Sequence, residues 1–383
     1  MQKIVFNEAA EYPDLLVIAG EYSGDEHAST FVRQLKAERP TCNICAIGGE
    51  NLEKTGVDFI FNLVDYSVIG TTEVLKHLRF FMRFLKTTCD WIERNRPKAV
   101  CFVDFPGLNL RIAKELYRRG ISHKAGGNVK LYYYISPQIW AWRAKRRFRI
   151  AKYIDSLGAI FPFEKECYRD TPLEVQFLGH PFLDEGYELP VHYDPEGPLL
   201  LLPGSRVGAV QKVFPIMLEA VQQLKKLGES RELVVIYPDD DILSILEKQS
   251  QRCKGLTISF VRSGACQIGA CAALMSPGTM SLKCALAGIP GVIVYKVNTV
   301  TYGLAKILLK VKFLYMASIL LKRAVAPEFL QFSAKPKLIS KAVRAAMNDL
   351  AIRQQAADDA EELKHILSAE PQMNVVRWIQ EAL

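Results

Sequence analysis

Eight short apolar runs, four in each half of the chain, constrain the fold more than any other feature. Leu15 to Ala19, Ala99 to Val103, Leu131 to Ile135 and Leu157 to Phe161 fall in the first half; Leu199 to Leu202, Leu233 to Tyr237, Ala272 to Met275 and Val292 to Tyr295 fall in the second. Runs this short, without a polar residue on alternate positions, fit strands covered on both faces, which is the pattern of parallel sheets. Between them lie stretches with helical apolar spacing, Gly24 to Ala37 and Leu108 to Arg119 among them. The strand-helix rhythm predicts an α/β protein with doubly wound sheets, and its repetition predicts two of them. A chain of 383 residues is also too long for one ordinary core.

The segment Asp184 to Pro198 carries Gly186, Pro190, Pro195, Gly197 and Pro198 and has no periodic apolar face, so it reads as the linker. That gives domains of 1–185 and 195–350, followed by helices over 351–383. The last stretch, Pro371 to Leu383, has the pattern of a helix that can pack back across the domains.

Composition excludes several classes. The 49 Lys+Arg against 41 Asp+Glu leave a net charge of +8, which suits anionic partners without choosing among them. Nine scattered Cys form no paired CxxC sets, so a zinc site is not expected and reduced thiols are. Lys3, Glu8, Glu11 and Asp14 break the start of the chain as no signal peptide allows, which points to the cytoplasm. The run Phe313 to Leu321 is stopped by Lys312 and Lys322, short of the roughly 20 apolar residues of a membrane span, so any membrane contact is expected to be peripheral.

Ligands of open α/β sheets gather beyond the carboxyl ends of strands, so the turns that follow the runs are the places to look. Pro203-Gly204-Ser205-Arg206 follows one run and opens a helical stretch; backbone N–H groups there favour a phosphate and Arg206 adds a fork of donors. A plain turn with a surface Arg has the same pattern. Ser276-Pro277-Gly278-Thr279 repeats the arrangement after another run. Gly20-Glu21-Tyr22-Ser23-Gly24-Asp25 can line a cleft or cap the next helix. In Val103-Asp104-Phe105-Pro106-Gly107 a carboxylate ends a strand beside apolar groups, where desolvation favours proton acceptance; a turn Asp is the alternative. Tyr132 to Arg149 combines aromatic and basic residues, as single-stranded nucleic acid sites do, but reads better as a core strand followed by a basic, anion-facing helix.

Taken in order, Gly20-Glu21-Tyr22-Ser23-Gly24-Asp25, Ile47-Gly48-Gly49, Ser136-Pro137-Gln138-Ile139-Trp140-Ala141-Trp142-Arg143, Pro162-Phe163-Glu164, Gly179-His180-Pro181 and Leu202-Pro203-Gly204-Ser205-Arg206 resemble the motif series of the lipid-A-disaccharide synthases. The resemblance runs from about Leu15 to Gln331. It implies a GT-B architecture, two Rossmann-like doubly wound domains facing a cleft with C-terminal helices. It also implies an inverting glycosyl transfer without metal or other cofactor. The donor would be UDP-2,3-diacylglucosamine and the acceptor 2,3-diacylglucosamine 1-phosphate, joined by a β-1,6 bond as UDP leaves.

By the same resemblance Asp104 is the catalytic base, with Glu21 beside it. Gly204, Ser205, Arg206, Gly278, Thr279, Glu328 and Gln331 are the nucleotide contacts, and Ser23, Asp25 and His180 touch substrate. Glu328 and Gln331 have the bland alternative of a helix start, and His180 that of a structural turn. Three positions depart from the family: Lys283 stands where an acid is usual, Ala209 for a Glu and Ser318 for an Asn. An acid at position 283 would accept from ribose hydroxyls, whereas a Lys only donates. These departures keep a non-catalytic glycolipid binder as an alternative, and the same fold keeps a UDP-sugar epimerase, which would need no lipid.

Acylated substrates require access to a membrane. In the stretch Glu73 to Arg94, Leu75, Leu78, Met82 and Leu85 fall on one helical face, flanked by Lys76, Arg79, Arg83 and Lys86 and accompanied by Phe80, Phe81 and Phe84, a pattern shared by core helices and by helices lying on an anionic membrane. Tyr302 to Arg323 is a weaker candidate. The expected setting is the inner face of the bacterial inner membrane; nucleic acid is not among the expected partners, and the oligomeric state stays open, a homodimer included.

Overall fold

The structure is a computed structural model and describes residues 4–66, 74–184, 186–253, 255–298, 312–368 and 373–383, without the side chains of 74–78. The chain forms two compact units, Met1–Pro181 with Leu367–Leu383, and Phe182–Ile366.

The first unit holds a seven-stranded sheet: β1 (Leu15–Ala19), β2 (Ile44–Gly48), β3 (Asp58–Asn62), β4 (Ala99–Val103), β5 (Lys130–Tyr134), β6 (Ser156–Ala159) and β7 (Glu174–Phe177), in the order β3-β2-β1-β4-β5-β6-β7. Every pairing is parallel. The central strands β1 and β4 are 0% exposed at all positions, which is why they read as unbroken apolar runs. Helices α1 (Tyr22–Glu38), α2 (Glu50–Glu53), α3 (Val74–Asn95), α4 (Pro106–Arg118) and α5 (Arg146–Tyr153) connect these strands.

The second unit repeats the plan with six parallel strands: β9 (Leu199–Leu202), β10 (Leu233–Tyr237), β11 (Ile258–Arg262), β13 (Ala272–Met275), β14 (Gly291–Tyr295) and β15 (Glu328–Leu330), in the order β11-β10-β9-β13-β14-β15. Helices α6 (Val207–Lys226), α7 (Asp240–Ser250), α8 (Thr279–Leu286), α9 (Met316–Leu320), α10 (Pro336–Asn348) and α11 (Leu350–Leu367) accompany it. The segment expected to be a bare linker holds β8 (Val191–Tyr193), which pairs in parallel with β12 (Ile268–Ala270). Proline and glycine density marked an irregular path there, and a three-residue strand is too short to show a period.

The C-terminal helix α12 (Val375–Gln380) belongs to the first unit. Its Trp378 is 0% exposed, donates its indole N–H to Ser156 Oγ at 2.8 Å and lies 4.8 Å from the Tyr132 ring.

In each sheet the strand order reverses direction once, between β1 and β4 and between β9 and β13. Such points leave a crevice beyond the carboxyl ends of the two strands. The turns after these four strands are the ones the sequence marked.

Candidate functional site

At the first switch point, β1 runs into Gly20-Glu21 and β4 into Asp104-Phe105. The two turns touch: a Cβ on Gly20 would lie 2.2 Å from Phe105 Cδ1, so the Phe105 ring occupies the space that only a glycine leaves. Asp104 and Phe105 both adopt left-handed backbone, at φ 45° and 46°. This costs a non-glycine residue about 1–2 kcal/mol and persists only where neighbours enforce it. Tyr133 Oη donates to the Asp104 carbonyl at 2.5 Å, Asn109 Nδ2 donates to it at 2.8 Å, and the Asp104 N–H donates to Tyr134 O at 3.0 Å. The backbone is thus fixed from three sides and the half-buried carboxyl group is carried on a rigid turn. Glu21 is the N-cap residue of α1 and Ser23 lies in its first turn, both half-buried.

At the second switch point, Gly204 adopts φ 104° and Arg206 is the N-cap residue of α6. The neighbouring turn closes on it: Ser276 Oγ donates to Pro203 O at 2.9 Å, and among the described residues beyond its chain neighbours a Cβ on Gly204 would meet Ser276 alone within 4 Å. Gly278 is the N-cap residue of α8, with Ser281 Oγ accepting its N–H at 3.1 Å. Among the described residues a Cβ on Gly278 would meet nothing within 4 Å, and Ser205, Arg206, Gly278 and Thr279 are exposed. Two helix N-termini therefore open side by side at the edge of adjacent strands, both accessible. This geometry favours an anion through backbone donors and helix dipoles together.

Three residues expected to contact ligand are committed elsewhere. Asp25 is 1% exposed, and its carboxylate accepts the N–H groups of Gly49 (2.7 Å), Asn51 (2.9 Å) and Leu52 (3.3 Å) at the start of α2. Burial raises its pKa while those donors oppose the rise. Asp25 ties the turn after β1 to the start of α2. Glu328 accepts from Leu314 N at 2.9 Å and Tyr315 N at 3.2 Å, just before α9, and burial raises its pKa as well. Gln331, at φ 52°, spends both ends of its amide on the backbone of Val297, at 3.1 and 2.9 Å. Both hold up the segments around the site. His180 is 3% exposed, with its ring 5.4 Å from that of Phe161, which is a packing position.

Lys283 was expected to face the ribose position. It is instead 3% exposed in α8, with Nζ 4.8 Å from the Phe182 ring centroid and 5.5 Å from that of Tyr187. The ammonium is buried by aromatic faces, so this departure from the family is accommodated within the unit. Ser318 is 0% exposed and accepts the Val325 N–H at 3.1 Å; Ala209 lies half-buried in α6.

Sequence reasoning missed Glu164 as a member of the first site. It is 1% exposed, accepts from Trp140 Nε1 at 3.2 Å and from the N–H groups of Ile160 and Phe161 at 3.2 Å each. Burial pushes its pKa up to about 8 against these donors, and the charge of Asp104 adds to the rise. The signal was the run Pro162-Phe163-Glu164, present in the motif series but assigned no role.

The apolar stripe of α3 divides. Phe84 is 0% exposed in the core, Phe80 and Leu85 pack against it, and Phe81 lies 6.3 Å from the Phe105 ring. Met82 is 54% exposed between the exposed Arg79 and Arg83. The side chains of Leu75 and Leu78 lie outside the described residues, as does Tyr302 with most of the second candidate stretch. No described helix is long and apolar enough to cross a membrane.

Residues 15–375 match the protein family described as lipid-A-disaccharide synthetase. The chain is 33% identical over 374 residues to lipid-A-disaccharide synthase 1 of Legionella pneumophila, with 93% of each covered. It is 34% identical over 344 residues to the lipid-A-disaccharide synthase of Myxococcus xanthus, with 87% of each covered. Among solved structures, the glycotransferase of kitacinnamycin superposes with a TM-score of 0.58 at 12% identity, covering 97% of this chain and 99% of that one. UDP-GlcNAc 2-epimerase from Neisseria meningitidis, bound to UDP-GlcNAc, gives 0.58 at 10% identity, covering 92% and 99%. At these identities the structural likenesses speak for the fold alone, that of two Rossmann-like domains of GT-B type.

Proposed function

The chain belongs to the lipid-A-disaccharide synthase family of glycosyltransferases, and on that premise we propose that it joins UDP-2,3-diacylglucosamine to 2,3-diacylglucosamine 1-phosphate. The product is the β-1,6-linked disaccharide precursor of lipid A, and UDP leaves. The observation that carries the donor side is the pair of exposed helix-opening turns at the β9/β13 switch point.

In this reading the diphosphate of the donor lies on the N–H groups of Gly204, Ser205, Gly278 and Thr279 with the guanidinium of Arg206 beside it. As the bond from the anomeric carbon to the diphosphate oxygen lengthens, negative charge grows on that oxygen, and fixed donors stabilise it without reorganising. The acceptor 6-hydroxyl attacks the anomeric carbon from the opposite face while Asp104 takes its proton, which inverts the configuration. The rigid turn under Asp104 supports this role, because a base must stay within hydrogen-bond reach of the proton it takes, and a misplacement of about 1 Å can cost a hundredfold in rate. Glu21 faces the same switch point from the β1 side and orients the acceptor with Ser23.

Both substrates carry acyl chains, so the enzyme works at the cytoplasmic face of the inner membrane, bound peripherally. Met82 with Arg79 and Arg83 gives the α3 surface the apolar and cationic character that such contact uses. The deciding experiment is UDP release by the purified protein with both acylated substrates. Release that requires both, and a β-1,6 linkage in the product, support the reading. Absence of transfer with intact UDP binding would replace it with a non-catalytic glycolipid binder.

A further inference from the structure

The loop between β5 and α5 carries more positive charge than its surroundings neutralise. Its middle is anchored: Ile139 and Ala141 are 3% and 7% exposed, and Trp140 between them is bonded to Glu164. Trp142 and Arg143 are left outside, and Arg143 takes a left-handed backbone at φ 56°. The guanidinium carbons of Arg143 and Arg146 lie 4.2 and 5.7 Å from the Trp142 ring centroid, so two cations share one indole. Arg149 follows one helical turn on.

Among the described residues, no carboxylate stands within ion-pair distance of Arg143, Arg146 or Arg149, whereas Arg147 in the same helix pairs with Asp170 at 2.5 Å. Arg146 is half-buried, and desolvation together with the charges of Arg143 and Arg149 holds its pKa below the usual value. Like charges gathered without a counter-ion, half out of water, favour an incoming anion. An aromatic face beneath a guanidinium leaves its N–H edge free for hydrogen bonds.

The location says which anion. The loop leaves the carboxyl end of β5, whose last residue, Tyr134, accepts the Asp104 N–H at 3.0 Å, and Arg146 and Asp104 both act electrostatically on the Tyr133 hydroxyl, which donates to the Asp104 carbonyl. The unneutralised guanidinium is therefore a close neighbour of the turn that carries the proposed base, on the same unit. We infer that Arg146, with Arg143 beside it, forms the subsite for the phosphate monoester of the acceptor sugar. This rests on the reading of function given above and adds a residue-level account of how the acceptor is oriented. The phosphate is bound at one end of the hexose ring and the attacking hydroxyl meets Asp104 at the other, so the ring has one productive direction. A guanidinium suits the phosphate because its fork bonds two oxygens at once. A flat lipid surface would be met by the exposed Arg149 and Phe148 before the half-buried Arg146.

The test compares acceptors with and without the 1-phosphate, using the full-length enzyme and the variants Arg146→Met and Arg146→Lys. Wild type is expected to prefer the phosphorylated acceptor strongly in kcat/KM. Arg146→Met is expected to lose roughly tenfold to a hundredfold of that preference, as one charge-assisted phosphate contact predicts. UDP affinity should stay unchanged and the dephosphorylated acceptor should be turned over equally by both forms. Arg146→Lys should recover only part, because the charge returns without the fork.

A preference kept in full by Arg146→Met overturns the inference. So does a loss of binding to phosphatidylglycerol vesicles with the acceptor preference intact, which would assign the cluster to the membrane. If Arg146→Met fails to fold, the exposed Arg143→Met variant is read in the same way. If wild type transfers to neither acceptor, the function reading falls, and the subsite is decided by phosphorus NMR titration with glucosamine 1-phosphate. Resonance changes present in wild type and absent in Arg146→Met support the subsite, and their absence from both overturns it.

Discussion

Replacing Gly204 by Ala separates the anion-binding function of the β9/β13 crevice from its structural requirement. At φ 104° an alanine is strained, at a cost of about 2 kcal/mol. The added Cβ itself meets only ordinary contact, 3.7 Å to Ser276 Cβ and 3.8 Å to Ser276 Oγ, so steric overlap adds little. For a unit of this size that cost corresponds to a melting temperature lower by roughly 4–8 °C. The methyl group also lies between the two turns, where the diphosphate is proposed to sit, and relaxation of the strain turns the backbone donors away from it. UDP affinity, measured by calorimetry at temperatures where both proteins are folded, should fall at least about tenfold.

Gly228→Ala is the control. Gly228 has φ 86°, a Cβ there meets nothing within 4 Å among the described residues, and it follows the far end of α6. It should share the stability loss and bind UDP as wild type does. Equal UDP affinities for Gly204→Ala and wild type would refute the placement of the diphosphate.

Asp104→Asn should leave the melting temperature within a degree or two and slow transfer by roughly a hundredfold or more, the usual consequence of losing a general base; near-normal turnover would remove Asp104 from the mechanism. Burial pushes the Glu164 pKa from its ordinary value near 4.5 up to about 8, so the folded state holds an extra proton between these values. Its contribution to stability should therefore fall as pH rises from about 4.5 to about 8, by on the order of 5 kcal/mol in all. Urea unfolding at pH 5 and pH 8 should show a smaller fall in Glu164→Gln than in wild type, and identical slopes would count against the buried proton. Lys283→Glu places a carboxylate against the faces of Phe182 and Tyr187 and should cost about 3 kcal/mol or more by urea unfolding, while Lys283→Met should cost about 1 kcal/mol. A Glu variant as stable as wild type would mean that the position is open to solvent and ligand after all.

The central strands were legible because they are buried on both faces, and β1, β4, β9, β10 and β13 fall on the apolar runs that mark them. Strands at the edges were not. β3, β11 and β15, read as Asp-Phe-Ile-Phe-Asn, Ile-Ser-Phe-Val-Arg and Glu-Phe-Leu, are largely half-exposed, and their polar residues dilute the signal. β2 is fully buried, but Cys45, Ala46 and Gly48 make it a weak apolar run. The site was legible as a set of turns, since the carboxyl ends of strands could be counted off. It was not legible as a division of labour. Asp25 meets Gly49 from 24 residues away, Glu328 meets Leu314 from 14 and Gln331 meets Val297 from 34. Nothing local in the sequence tells a carboxylate that binds a ligand from one that binds a distant backbone N–H.

The two switch points meet the same topological demand with opposite chemistry. Both require a turn with positive φ immediately beyond a central strand. At Gly204 the strain is removed by deleting the side chain, which is consistent with a turn whose contribution is its backbone donors. At Asp104 and Phe105 the side chains are kept and the strain is carried, held in place by Tyr133, Asn109 and Tyr134. A carboxyl group is worth that cost only if it has work that a backbone cannot do, such as accepting a proton. The Phe105 ring, seated on Gly20, closes the crevice beside it. Tyr133→Phe should therefore reduce turnover by loosening the Asp104 turn while leaving UDP affinity untouched. If UDP affinity fell and turnover held, the proposed roles of the two crevices would have to be exchanged.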